Sequence, residues 1–206
     1  MKINKEKILQ KAFEQYLLRG YSGVSISVLQ QQLNIGRATL YYYFKDKETL
    51  FKAILEKYFI QVIQSNEDIA PDITICELIE KRIAISQQLK TNILTLENKT
   101  LTMSNFSALL LFGYTHYDDF KNFVREVQLR NVQQWQAAIR NSIKRSEIKP
   151  DVNIDVLASL FANIKDGYEA GVFVEPTLTD VFLKTSYYYL YSLVNQEQKL
   201  SRNELG

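Results

Sequence analysis

The stretch Asn34-Ile35-Gly36-Arg37-Ala38-Thr39-Leu40-Tyr41-Tyr42-Tyr43-Phe44-Lys45-Asp46-Lys47-Glu48-Thr49-Leu50-Phe51 decides how this chain is read. Leu40 and Phe44 stand four apart and face inward from a short helix, Arg37 to Tyr43. Arg37, Ala38, Thr39, Tyr42 and Tyr43 are left for its outer side. Tyr41, Tyr42 and Tyr43 cannot all be core, because successive helical residues point about 100° apart. Asn34 sits where the chain must turn, and asparagine tolerates the left-handed conformation. Before it, Ser25 can cap another short helix, with Ile26 and Leu29 inward, that runs to Leu33. A tight turn between two such helices predicts a helix-turn-helix over 25–44. Its first helix braces across the DNA backbone, and its second enters the major groove, which is about as wide as a helix.

Working outward, the upstream stripe Ile8, Leu9, Ala12, Phe13, Tyr16, Leu17 predicts an amphipathic helix capped by Asn4 and ended by Gly20. Downstream, Lys45-Asp46 caps a long helix with the stripe Leu50, Phe51, Ile54, Leu55, Tyr58, Phe59, Val62, Ile63. The pattern breaks around Pro71. Thr74-Ile75-Cys76-Glu77 reads as a capping box opening a helix to about Leu96. Residues 98–105 are polar and loop-like. Further helices are expected over about 106–117, 119–146, 154–170 and 179–195, with Pro150 as a break and a polar tail beyond 196. The expected fold is all-α, with nine helices, three short ones first.

Composition agrees. Three prolines and seven glycines in 206 residues are few breakers and favour long helices. Residues 1–60 hold ten Lys/Arg against five Asp/Glu, a net +5; residues 61–206 hold fifteen against eighteen, a net −3. A basic first third suits a nucleic-acid-facing domain. No apolar run reaches the roughly 18 residues that span a bilayer, so no membrane partner is expected. The start lacks a signal peptide's apolar core, and one cysteine cannot form an internal disulfide, so a cytoplasmic location is expected. One histidine, one cysteine and no glycine-rich phosphate loop make no catalytic set. Neither an enzyme, nor a metal, nor a cofactor is expected. Cys76 lies in a first helical turn, where a thiol pKa can fall; the alternative is a plain buried cysteine.

Gly20-Tyr21, Ser25-Ile26 and the run Asn34 to Phe51 resemble the DNA-binding region of the TetR family, over about residues 5–60. Thr39-Leu40-Tyr41-Tyr42-Tyr43-Phe44 followed by Lys45-Asp46-Lys47-Glu48-x-Leu50-Phe51 is the most specific part. The resemblance implies a DNA-binding domain at 1–48 and a helical ligand-binding and dimerisation domain at 49–206. It implies that Thr39 and Tyr43 contact the groove and that Arg37 reaches a base edge or phosphate, with Ala38 beside them. Tyr41 and Tyr42 would touch phosphates, and Lys47 would grip the backbone at the start of the fourth helix. Ser25 matches the cap of the second helix and could also donate to a phosphate. The chain departs from the family pattern at Gln30, where alanine is usual, at Asn34, where glycine is usual, and at Gly36, where serine is common.

For the body, the resemblance implies a ligand pocket and a dimer face. Phe106, Phe112, Tyr114, His116, Tyr117, Trp135, Asn163 and Tyr168 offer aromatic walls with polar handles; core packing explains the same residues. The eighth helix carries Leu157, Leu160, Phe161, Ile164 and Tyr168 as one stripe. The ninth, with Phe182, Tyr189 and Leu193 among others, is apolar nearly all round and must be covered on more than one side. Leu157, Leu160, Phe161, Ile164, Phe182, Tyr189 and Leu193 are therefore the expected homodimer interface, a four-helix contact. The expected function is a transcriptional repressor that binds a palindromic operator in double-stranded DNA as a homodimer and is released by a small-molecule effector.

Overall fold

The computed structural model describes residues 4–64, 68–94, 103–174 and 180–196. Among them the chain is helical, the nearest thing to a strand being one isolated bridge. The helices are α1 (Lys5–Arg19), α2 (Ile26–Leu33), α3 (Arg37–Tyr43), α4 (Lys47–Leu55, continued below), α5 (Ile75–Leu94), α6 (Met103–His116), α7 (Asp118–Lys144), α8 (Ile154–Val174) and α9 (Asp180–Val194). The first of the three expected short helices is 15 residues long. Residues 103–105, expected in a loop, begin α6; 98–102 and the tail beyond 196 lie outside the described residues.

Local chemistry sets the helix ends. The Asn4 side chain accepts from the Lys7 amide at 2.9 Å, and α1 stops at Gly20, whose φ of 69° suits a residue with no Cβ. Asp46 caps α4 by accepting from the Thr49 amide at 2.7 Å. Thr74 and Glu77 form the capping box reciprocally. The Thr74 amide donates to the Glu77 carboxylate at 2.7 Å, and the Glu77 amide to the Thr74 hydroxyl at 3.4 Å.

The long fourth helix is not uniform. After Leu55 a π-helical turn, Glu56–Ile60, leads into Gln61–Gln64. The apolar stripe explains it. Leu50, Ile54, Tyr58 and Val62 form one row, and Phe51, Leu55, Phe59 and Ile63 form a second beside it. Each row repeats every four residues. A 3.6-residue helix drifts by about 40° at each such step. A wider turn takes up an extra residue and returns Phe59 to the core, 1% exposed.

Two compact units divide the chain: Met1–Glu67 with Thr91–Val124, and Asp68–Lys90 with Arg125–Gly206. The first buries Ile8, Phe13, Tyr16, Leu29, Leu40, Phe44, Phe51 and Phe59 together with Phe106, Leu109 and Phe120. Its centre is aromatic. Phe13 stacks on Tyr58 at 4.0 Å and Phe59 on Phe106 at 4.4 Å. Gly113 of α6 faces Leu55 and Phe120; a Cβ there would lie 3.1 Å from carbons of both.

The second unit packs Ile75, Leu78, Ile79 and Ile83 of α5 against Trp135 and Ile139 of α7, Phe161 of α8, and Leu183 and Tyr187 of α9. The start of α5 is held by α7 as well as by its own box. The Ile75 amide donates to the buried Ser142 hydroxyl at 3.0 Å, and the Asn141 amide group donates to the carbonyls of Pro71 and Ile73, each at 2.9 Å. After α7, residues 147–149 clasp the end of α9. Lys149 N donates to Val194 O at 3.0 Å and Gln196 N to Glu147 O at 3.2 Å.

Candidate nucleic-acid interface

The site starts from the turn between α2 and α3. Ser25 Oγ accepts from the Val28 amide at 3.2 Å and caps α2. Asn34 closes α2 in the left-handed region, φ 51° and ψ 52°. Its amide donates to Gln31 O at 3.2 Å, and that of Ile35 to Gln30 O at 3.1 Å. This double closure satisfies two of the helix's last carbonyls and turns the chain sharply into α3. Gly36 supplies no side-chain cap to α3.

Leu40 and Phe44 anchor α3 from beneath, 1% and 3% exposed. The other side faces solvent. Arg37, Ala38, Tyr41 and Tyr42 are exposed, while Thr39 and Tyr43 are half-buried. Tyr42 is 83% exposed, and its ring meets Tyr43 edge-on at 5.0 Å. The Arg37 guanidinium lies 5.3 Å from the Tyr41 ring centre. Ser25 is also exposed, so all eight expected DNA-contacting residues belong to one unit, on α3 and at the starts of α2 and α4.

Lys47 is the first residue of α4 and is half-buried. Its ammonium sits 4.1 Å from the Tyr21 ring centre, and desolvation pushes its pKa down. Beside it the Thr49 amide bond holds the Asp46 carboxyl below its ordinary range. Lys5, over the Phe44 ring at 5.7 Å, adds another cation near the end of α3. Sequence reasoning assigns Tyr21 no role of its own, because the contact with Lys47 joins residues 26 positions apart. Gln30 is half-buried, and its Nε2 has no hydrogen-bond partner among the described residues.

The expected ligand residues fall in both units. In the first, Phe106 is buried, while Phe112, Tyr114 and Tyr117 are half-buried against the same core and His116 is exposed. Phe112 stacks on Tyr21 at 4.7 Å and on His116 at 3.9 Å. In the second, Trp135 is fully buried, stacked on Phe161 at 4.7 Å and Tyr187 at 5.6 Å, and its indole N–H has no partner among the described residues. Tyr168 is buried and Asn163 exposed.

The expected dimer residues also divide. Leu157 and Phe161 are buried within the second core and Ile164 is half-buried. Leu160, Phe182, Tyr189 and Leu193 are between 49% and 67% exposed, as are Val156 and, more so, Val181. Cys76 does not gain acidity from its helix start. Burial is the largest effect and pushes its thiol pKa up, with Glu147, Glu77 and Glu80 adding to the rise against a Tyr191 hydrogen bond. No cluster of three metal-ligating side chains occurs among the described residues. No described helix is long and apolar enough to cross a membrane.

Comparison with known proteins agrees with this geometry. The family profile of the bacterial regulatory proteins, tetR family, matches residues 8–54, from α1 into α4. The biofilm operon icaADBC HTH-type negative transcriptional regulator IcaR of Staphylococcus epidermidis is 31% identical over 67 residues, 31% of this chain and 36% of that protein. The HTH-type dhaKLM operon transcriptional activator DhaS of Lactococcus lactis is 36% identical over 64 residues, 31% of this chain and 34% of that protein. The matches thus span about a third of these relatives' own lengths. Among solved structures, a transcriptional regulator from Saccharomonospora viridis in complex with choline shares the fold with a TM-score of 0.65 at 16% identity, over 93% of this chain and 97% of that one. Through residues 8–54, the chain is similar to the bacterial regulatory proteins of the tetR family.

Proposed function

We propose that this protein is a cytoplasmic, sequence-specific DNA-binding regulator of transcription, a repressor that reads a palindromic operator as a homodimer and is released by a small-molecule effector. One observation carries the reading: α3 is fixed from below by Leu40 and Phe44 and turns Arg37, Ala38, Tyr41 and Tyr42 to solvent. Tyr41 and Tyr42 thus set two exposed aromatic rings on that side, the first beside the Arg37 guanidinium. Residues 1–48 are the proposed DNA-binding domain and 49–206 the proposed effector-binding and dimerisation domain. Ser25, Arg37, Ala38, Thr39, Tyr41, Tyr42, Tyr43 and Lys47 are the proposed DNA contacts.

The exposed apolar side chains Leu160, Phe182, Tyr189 and Leu193 support a partner copy on α8 and α9. Two reader helices about one DNA turn apart then meet the two halves of a palindrome. The effector is proposed to act through the second unit, where the Trp135 indole N–H, without a partner among the described residues, offers a polar handle among aromatic rings. An effector that prefers one spacing of the reader helices changes DNA affinity by its differential affinity for the two states.

Footprinting on the DNA upstream of the protein's own gene, at two salt concentrations, tests the reading. A protected palindrome whose affinity falls steeply with salt is the expected result. Weak, sequence-independent binding at low salt overturns it. Transcription from that promoter with and without the protein separates repression from activation, the sign borne by DhaS's description.

A further inference from the structure

Lys47 occupies a place that helix electrostatics disfavour. It is the first residue of α4, where the unsatisfied amides make the helix end positive. Partial burial also pushes its pKa down, and the ammonium has no ion pair of its own among the described residues. What faces it is the Tyr21 ring, 4.1 Å away. That distance is well within cation–π range.

Tyr21 is itself fixed from several sides. Its ring stacks on Phe112 at 4.7 Å with planes 22° apart, meets Phe51 edge-on at 4.8 Å and stacks on Tyr16 at 5.7 Å. Phe51, which meets it edge-on, packs in turn against Tyr117 at 5.6 Å. Phe112 lies on α6, so that helix fixes the ring under the cation.

We infer that Tyr21 is a positioning residue for Lys47: its ring, fixed by Phe112 and Phe51, holds the ammonium at the start of α4 to meet a DNA phosphate. This rests on the DNA-binding reading above. A lysine side chain otherwise samples many rotamers, and a preset one loses less entropy on binding. The tyrosine hydroxyl is not needed for the contact; the ring face is. Tyr21→Phe therefore keeps the function, whereas Tyr21→Leu removes it.

The test uses full-length protein and the operator fragment found by footprinting. Lys47→Gln is expected to flatten the slope of log affinity against log salt by about 1 per reader head. Tyr21→Leu is expected to weaken binding roughly tenfold at low salt and to flatten the slope in the same direction. Tyr21→Phe should match the wild type. Tyr21→Leu added to Lys47→Gln should cost nothing further, because the group it positions is gone.

A Tyr21→Leu loss of equal size in both backgrounds, or wild-type behaviour of either Tyr21→Leu or Lys47→Gln alone, overturns this inference alone. Absence of salt-dependent binding by the wild type overturns the DNA-binding reading with it. Should Tyr21→Leu fail to fold, NMR of the wild type decides. The Lys47 ε-methylene protons must show a ring-current upfield shift, and ordinary lysine shifts refute the contact.

Discussion

Replacing Gly113 by alanine sets two effects of known sign against each other. In a bare helix the change stabilises, by about 0.8–1 kcal/mol, because glycine is a poor helix former. At this site the new methyl would lie 3.1 Å from both terminal carbons of Leu55 and 3.1 Å from a ring carbon of Phe120. Comfortable carbon contacts are about 3.5–4.0 Å, so neighbours must retreat by several tenths of an ångström. They have little room: Leu55 is 2% and Phe120 3% exposed. Overpacking of a filled core costs about 1–3 kcal/mol. The crowding wins, and Gly113→Ala should destabilise by about 1 kcal/mol net. Urea unfolding followed by circular dichroism measures it, with an unchanged m-value showing that compactness is kept. A stabilisation of about 0.5 kcal/mol or more, as bare propensity predicts, would falsify the close approach of α6 to Leu55 and Phe120.

Three other outcomes follow from the geometry. Gly36→Ser supplies the side-chain cap α3 lacks, into space with no atom within 4 Å, and should raise stability by about a few tenths of a kcal/mol; unchanged or lower stability in the same unfolding assay refutes the cap reading. Glu77 has a folded-state pKa below its ordinary value, held down first by the Thr74 amide, so its ionised form stabilises above the ordinary glutamate range and the contribution disappears as pH falls through the lowered pKa. The stability gap between wild type and Glu77→Gln should accordingly be steady near neutrality and close on acidification below the ordinary glutamate value of 4.5; a pH-independent gap contradicts the box. Leu160→Glu with Tyr189→Glu places charges on the exposed apolar faces of α8 and α9 and should give a helical monomer by sedimentation, whereas a persistent dimer moves the interface elsewhere.

Much of the reader was legible because its signals are local. Ser25, Asn34 and Asp46 each act within a few residues, and Leu40 and Phe44 follow from helical spacing alone. The Thr74–Glu77 box is equally local. The start of α6 at Met103 was not legible, because Ser104 and Asn105 interrupt any apolar stripe there. The π-helical turn was present in the four-residue repeat of the stripe, but such a repeat also passes for ordinary helix over two turns. Cys76 stayed open between two readings because position at a helix start and burial pull its pKa in opposite directions, and burial wins. The assignment of aromatic residues to two cores needed the structure, since α5 and α7 each contribute to both units without any break in sequence pattern. The Lys47–Tyr21–Phe112 arrangement joins α4, the segment after α1 and α6, and no spacing rule connects them.

The way α7 caps α5 bears on the order in which the second unit forms. The Ile75 amide finds the Ser142 hydroxyl across 67 residues of chain, and Asn141 reaches back 68 and 70 residues to Ile73 and Pro71. Closing a loop of that length in an otherwise unstructured chain costs roughly 4 kcal/mol beyond a fixed term. These bonds therefore arise only once α7 has docked, after the local box of Thr74 and Glu77 has started the helix. The first turn of α5 is thus a late-locking latch, and the Ile75 amide proton is a natural clock for the docking event.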